Sequence, residues 1–421
     1  MTNNISFRVI AACSLGTVLE WYDFSLYAFL APIISLLFFP NHDPFTATIL
    51  TYSVFTIGFL ARPIGAILFG HFGDQLGRKR VLIISILIIA TTTCMIGLLP
   101  TYARIGIFAP LLLVLLRICQ GIAIGGEVAG AGSFVFESSR VQQRGFATAM
   151  VWSSSGLGLL LSSLTVALTT WIFSQEILVA WAWRIPFLLG SLTGVLGYYL
   201  RVNTAESVPF QLLQQSNEIS KFPFMVAMRN YRPAIMITIG LYILSAITTY
   251  LVFVFMPVYA AKNLGLPLNQ AMLVNTVAMA CSILLVPIMG SLSDKVGRKV
   301  IMLSGAVGFL FFSLPLYWLI THAGMMGLMI AQFIFSVLSA SFNGPLTSAV
   351  LEMFPIQVRY SATAFSYNLS YSLFGGTAPI IAVFFIGILG SNIAPAFYLA
   401  IGALIAVFAV LKMSNGRTIY A

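Results

Sequence analysis

Two carboxylates stand one helical turn apart inside a long apolar run. They are Glu20 and Asp23, in Gly16-Thr17-Val18-Leu19-Glu20-Trp21-Tyr22-Asp23-Phe24-Ser25-Leu26-Tyr27. A spacing of three places both on one helix face. They follow Arg8 by 12 and 15 residues, about 20 Å along a helix at ~1.5 Å per residue. A carboxylate at that depth in a membrane costs several kcal/mol unless it is paired, protonated or hydrated. Such an acid is a candidate proton carrier, and an ion pair with an arginine is the alternative. Arg62 precedes Pro63, which frees a carbonyl in a helix. It is placed equally well to balance an acid of the first run or to touch a substrate. Arg117 and Gln120 share a face, and Glu127 lies almost three turns further on. Between Gly121 and Gly132 the same run is rich in glycine and alanine, a face on which another helix can approach closely.

The second half offers polar aromatic and amide groups in place of charges. Tyr242 and Tyr250 lie in one apolar run, Asn343-Gly344-Pro345 in another, and Tyr367-Asn368 in a third that continues to Gly375-Gly376-Thr377-Ala378-Pro379. Broken or glycine-rich helices expose carbonyls where they line a cavity. With Tyr27, these residues complete a candidate substrate set. Trp152-Ser153-Ser154-Ser155 is a further stretch that its residues assign to no particular substrate.

A different chemistry sits at the ends of the runs. Gly70-His71-Phe72-Gly73-Asp74-Gln75-Leu76-Gly77-Arg78-Lys79-Arg80 reads as a charged, glycine-rich turn, and Gly290 to Lys299 repeats it. Asp74 and Asp294 lie 220 residues apart. Glu137 and Arg144 are spaced like Glu352 and Arg359, offset by 215 residues. A nearly constant offset of half a chain indicates two related halves. Asp74, Arg78, Glu137 and Arg144, with Asp294, Arg298, Glu352 and Arg359, are expected to form salt-bridged latches that gate one side of the membrane.

Helices must position these groups. The chain of 421 residues is 59% hydrophobic and only 8% charged, against about 25% charged in a soluble domain. Twelve apolar runs are each long enough to span a bilayer: 9–39, 47–71, 81–100, 106–136, 145–173, 183–200, 233–260, 269–291, 300–320, 324–351, 360–389 and 392–411. The fold class expected is an all-α membrane protein, twelve transmembrane helices in two pseudo-symmetric six-helix bundles. The bundles would be residues 1–200 and 232–421, joined by a cytoplasmic linker over 201–231 that contains Gln214, Gln215, Ser216, Asn217 and Glu218. Trp181, Trp183 and Arg184 read as interfacial anchors.

The net charge of +10 does not point to nucleic acid. Of 21 Lys and Arg, 16 fall in the even-numbered loops and the two ends, Arg8, Arg201 and Arg417 among them. That is the positive-inside pattern with both termini cytoplasmic. Cys13, Cys94, Cys119 and Cys281 lie in apolar runs without metal or disulfide spacing. His42, His71 and His322 are scattered, and no nucleotide loop or nucleophile–base arrangement can be placed. An enzyme is not expected, nor is a cleavable signal sequence.

The charged turn resembles the signature loop of the major facilitator superfamily. Four stretches narrow the resemblance to its metabolite–proton symporters: Glu20-Trp21-Tyr22-Asp23-Phe24, Arg62-Pro63-Ile64-Gly65, Gln120-Gly121 through Gly125-Gly126-Glu127, and Trp183-Arg184-Ile185-Pro186-Phe187. Glu352-Met353-Phe354-Pro355 through Arg359-Tyr360 is similar too. Thr17 departs from the Asn that family often has there. Some members carry a C-terminal coiled coil; nine residues follow Lys412, so osmosensing through such a tail is not expected.

The resemblance implies a multi-pass protein of a bacterial inner membrane. It implies proton-coupled uptake of a small organic acid or zwitterion, such as proline, betaine or a di- or tricarboxylate, by alternating access. Arg62 and Arg117 would meet the substrate carboxylate or balance the acids, and Asp23 or Glu127 would carry the proton. No cofactor is expected beyond the proton as coupling ion. The partners expected are a small-molecule substrate and membrane lipids, with no nucleic acid, for a monomer. Two rivals remain: an exporter of drugs or siderophores by proton antiport, and a membrane receptor or sensor that binds without transport.

Overall fold

The computed structural model describes residues 7–40, 44–203, 206–216 and 221–413. His42, Asn217, Glu218 and Arg417 lie outside the described residues, as does the side chain of Arg8. All regular structure among the described residues is helical. In order it runs α1 (Phe7–Phe29), α2 (Ala31–Phe38), α3 (Pro44–Leu76), α4 (Arg78–Leu98), α5 (Tyr102–Ile105), α6 (Phe108–Ser138), α7 (Arg144–Ile172), α8 (Gln175–Ala180) and α9 (Ile185–Val202). Then come α10 (Val208–Gln215), α11 (Pro223–Asn230), α12 (Arg232–Thr248), α13 (Met256–Leu264), α14 (Leu268–Val296), α15 (Arg298–Leu351), α16 (Arg359–Ser370), α17 (Ala378–Leu389) and α18 (Pro395–Lys412).

Among the described residues, 10 helical stretches are long and apolar enough to cross a membrane, and α1 with α2 makes an eleventh as one bent pair. The 54-residue α15 would be about 80 Å long at 1.5 Å per residue, far more than a hydrocarbon core of about 30 Å. It divides at Gly324, whose φ of 55° and ψ of −131° are not helical. Its two arms coincide with the runs expected over 300–320 and 324–351, which accounts for twelve passes.

Several expectations are corrected. The first run is not one straight span: α1 and α2 meet at 64°. Pro32, in the first turn of α2, brings no N–H and excludes the carbonyl one turn back. The charged turns are almost wholly helical. α3 continues to Leu76 and α4 starts at Arg78, so Gly77 alone makes the link, with φ 103° and ψ 153°. Gly297 does the same between α14 and α15, with φ 109° and ψ 139°. Only glycine adopts that backbone readily. Asn343-Gly344-Pro345 does not interrupt its helix. The breaks lie elsewhere, as π-helical turns over Thr249–Phe255 and Tyr371–Gly375.

The chain divides into two compact units, one of Met1–Ser138 with Ser154–Pro223, the other of Ser139–Ser153 with Phe224–Ala421. Helix α7 thus begins in the second and continues in the first. In the first unit, α6 lies against α3 so closely that a Cβ on Gly125 would come within 2.6 Å of the Ala66 amide nitrogen. That is the close approach expected of its small-residue face. One apolar core joins Leu26, Leu30, Phe38, Leu113 and Phe187 around Trp183. Trp183 is fully buried there and is therefore no interfacial anchor, whereas Trp181 is exposed.

Candidate functional site

Helix α1 carries its two acids into the first unit, and each finds a different arginine. Asp23 Oδ2 lies 3.6 Å from Arg117 Nη1. Arg117 Nη1 donates to Gln120 Oε1 at 2.9 Å, Gln120 Nε2 donates to Thr93 Oγ1 at 3.1 Å, and Thr93 lies 2.7 Å from Asp23 Oδ1. The four side chains close a ring, drawn from α1, α4 and α6. Tyr27 supports it: its ring lies 4.2 Å under the Arg117 guanidinium and its hydroxyl donates to the Thr51 carbonyl at 3.1 Å. A guanidinium over an aromatic face is stabilised by the ring's quadrupole, which offsets part of the cost of burying Arg117.

Glu20 faces Arg62 of α3 at 3.9 Å, beyond hydrogen-bond contact. Both are buried, and neither Glu20 oxygen has a hydrogen-bond partner. Arg62 is held instead between the rings of Phe24 and Phe59, each 4.5 Å from its guanidinium carbon. The two arginines singled out from sequence therefore both balance acids of α1.

Glu127 belongs to a third, separate cluster. Arg201 of α9 grips both its carboxylate oxygens, and Ser85 donates to it at 2.5 Å. The same guanidinium donates to the carbonyls of Ala12 and Leu82, at 3.3 and 2.6 Å. Arg201 is buried. Its place at the end of a hydrophobic run made it look like a loop charge, and nothing in local spacing ties it to Glu127, 74 residues away.

In the second unit the named residues converge around aromatic rings. Tyr367 lies 5.3 Å from Tyr242 and 4.4 Å from Tyr371 between ring centroids. Tyr250 lies 6.3 Å from Tyr371, and Trp152 lies 6.1 and 6.2 Å from Tyr367 and Tyr371. Five rings thus form one box, lined by both π-helical turns. Ser245 joins it to Asn343: its hydroxyl donates to Asn343 Oδ1 at 2.5 Å and accepts from the Tyr371 hydroxyl at 3.0 Å. Asn343 in turn donates to Ser339 at 3.1 Å. Asn368 donates to the Ala364 carbonyl of its own helix at 2.8 Å.

Tyr371 was overlooked in the sequence, although it stands one turn after Tyr367. Asn275 and Gln332 were overlooked too. They donate to the Phe253 and Val252 carbonyls at 2.8 and 3.1 Å, which occupies backbone groups of a π-helical stretch buried in an apolar medium.

The latch residues form two matching clusters. In the first unit Arg78 lies 3.0 Å from Asp74 and 3.3 Å from Glu137. In the second, Arg298 lies 3.0 Å from Asp294 and 2.7 Å from Glu352. The internal repeat is thus reproduced contact by contact. Asp294 also caps α7, accepting from the Gly145 and Phe146 amides at 2.8 and 3.0 Å. Arg144 opens α7, and Arg359 donates to the Leu351 and Phe354 carbonyls at 3.0 and 3.2 Å. Ser207 donates to Glu137 at 2.8 Å, and Glu206 accepts from the Lys79 amide at 3.0 Å. The linker therefore docks on the first cluster, a role its polar sequence did not reveal. Burial raises the Glu206 carboxyl above its ordinary value, against the bonds from Ser207 and Lys79 that favour its charged form.

Residues 9–222 match a family described as sugar (and other) transporter, and residues 238–417 match the major facilitator superfamily. The chain is 34% identical to the glycine betaine/proline/ectoine/pipecolic acid transporter OusA of Dickeya dadantii, over 97% of its own length and 83% of that protein's. It is 34% identical to the proline/betaine transporter of Salmonella typhimurium and 33% identical to that of Escherichia coli K12, with the same coverage. Its fold is similar to that of the proton:xylose symporter XylE bound to 6-bromo-6-deoxy-D-glucose. The TM-score is 0.77 at 18% identity, over 97% of this chain and 94% of that one.

Proposed function

This chain belongs to the major facilitator superfamily, and we propose that it takes up a small zwitterion, proline or glycine betaine, driven by the proton gradient. It is a multi-pass membrane protein and a secondary active transporter by alternating access. Its similarity to proline/betaine transporters over 97% of its length favours neither the exporter nor the receptor.

The observation that carries the reading is the set of buried acid–arginine pairs on α1. A proton that neutralises one of these acids loosens an arginine, and a loosened arginine attracts a carboxylate substrate. The aromatic box of Tyr242, Tyr250, Tyr367, Tyr371 and Trp152 supports a zwitterion over a plain acid, because aromatic faces attract quaternary and secondary ammonium groups. Glu127, gripped by Arg201, braces the bundle on this reading, and the coupling proton rides on α1. The two salt-bridged clusters act as latches. The protein works as a monomer in a bacterial inner membrane, with both termini cytoplasmic and the proton as its only coupling ion.

The test is uptake into proteoliposomes under an inward proton gradient, with labelled glycine betaine, proline, citrate and α-ketoglutarate. Betaine or proline should accumulate, and a protonophore should abolish the accumulation. Accumulation of citrate or α-ketoglutarate alone would assign a carboxylate transporter. Accumulation only in inverted vesicles would assign export.

A further inference from the structure

Resting on the symport reading, we propose that Glu20, the loosely paired acid of α1, is the group that loads and releases the coupling proton. Three buried carboxylates compete for that role, and they differ in how many donors hold their charge. Glu127 has the bidentate grip of Arg201 and the Ser85 hydroxyl. Asp23 has the Thr93 hydroxyl on one oxygen at 2.7 Å and Arg117 facing the other at 3.6 Å, with Gln120 bonded to both Arg117 and Thr93. Glu20 has no hydrogen bond to either oxygen and a single ion pair at 3.9 Å. A carboxylate in an apolar medium keeps its charge through donated hydrogen bonds and close counter-charges. Glu20 is therefore the acid for which the neutral form is the least disruptive.

Its counter-ion is built for the exchange. Arg62 is clasped by the Phe24 and Phe59 rings, so the guanidinium stays stabilised when Glu20 goes neutral. The charges that act on Glu20 come from three other helices: Arg62 of α3, Glu127 of α6 and Arg201 of α9. Asp23 lies one turn along its own helix. Because Arg201 and Glu127 compensate each other, Arg62 is the cation whose balance Glu20 sets.

The step is a proton transfer without other bond changes. A proton from water adds to a Glu20 carboxylate oxygen, and the Glu20–Arg62 pair passes from neutral to a net single positive charge. Arg62 is then free to hold the substrate carboxylate. Release of both returns the proton to water and restores the pair.

The experiment compares the full-length wild type with Glu20→Gln and Glu20→Asp in proteoliposomes, using labelled glycine betaine. Proton uptake on betaine addition is also read with an indicator dye in weakly buffered detergent solution. Glu20→Gln should lower gradient-driven accumulation at least tenfold, abolish betaine-induced proton uptake, and make betaine counterflow independent of pH. Glu20→Asp should restore proton uptake. Betaine-induced proton uptake that persists in Glu20→Gln would overturn the assignment. A Glu20→Gln protein without counterflow is judged by the dye alone, on betaine binding verified by thermal shift. If the wild type itself shows no betaine counterflow, the symport reading fails, and that outcome is distinct from a Glu20→Gln protein that still couples.

Discussion

Each buried arginine of the first unit has its own manner of being held: Arg62 between two phenyl rings, Arg117 over Tyr27, Arg201 by a carboxylate and two carbonyls. Arg201 meets Glu127, Ala12 and Leu82 in one bonded cluster. Removing one partner of such a pair leaves a buried charge alone, at a cost of about 3–5 kcal/mol, whereas replacing both by apolar groups is often neutral. Arg201→Ala and Glu127→Gln should each lower the unfolding temperature in detergent. The double variant Glu127→Leu/Arg201→Met should recover most of that loss. Equal destabilisation by the double variant would mean the cluster is needed for more than charge balance. The sequence made these acids legible as residues under strain, because few functions explain charge in so apolar a run. It did not reveal their pairings. Glu20, Asp23 and Glu127 choose partners on three other helices, and residue spacing encodes geometry only within one helix.

At the level of elements, single residues decide where a helix ends. Gly77 and Gly297 hold the same backbone conformation in the two halves, and any other residue there costs about 1–3 kcal/mol. Their surroundings differ. A Cβ on Gly297 meets nothing within 4 Å, while one on Gly77 collides with the Glu206 carboxylate and lies 3.1 Å from the Phe210 ring. Gly297→Ala should therefore show the backbone cost alone, and Gly77→Ala should lower the unfolding temperature further. Equal shifts would argue that the linker is not docked there. The two π-helical turns show what a hydropathy pattern hides. A run of apolar residues looks the same whether its carbonyls bond four or five residues on. The amides of Asn275 and Gln332 that reach Phe253 and Val252 come from other helices, α14 and α15.

For the whole molecule, the linker couples stability to pH. Burial raises the Glu206 carboxyl above its ordinary 4.5, so the folded state holds that proton more tightly than the unfolded chain does. Its contribution is fully present below the unfolded value and is lost as pH rises through the folded one. The unfolding temperature should fall as pH rises across the weakly acidic range. Glu206→Gln, which cannot ionise, should remove that part of the pH dependence. An unchanged pH profile in Glu206→Gln would show that the docked linker does not titrate there.

What the sequence determined by itself is the class of molecule. Charge scarcity and twelve apolar runs require helices in a membrane, because a backbone in hydrocarbon must satisfy its own hydrogen bonds. The Asp74–Arg78 motif recurs as Asp294–Arg298, half a chain further on, and that recurrence indicates two related halves. The tertiary structure alone decided which acid meets which arginine, that Tyr371 and Trp152 join the aromatic box, and that Arg201 turns inward. Those outcomes depend on where helices far apart in the chain come to lie side by side. In a medium that does not solvate charge, that placement determines whether a carboxylate is held by several donors, as Glu127 is, or faces a single arginine at 3.9 Å, as Glu20 does.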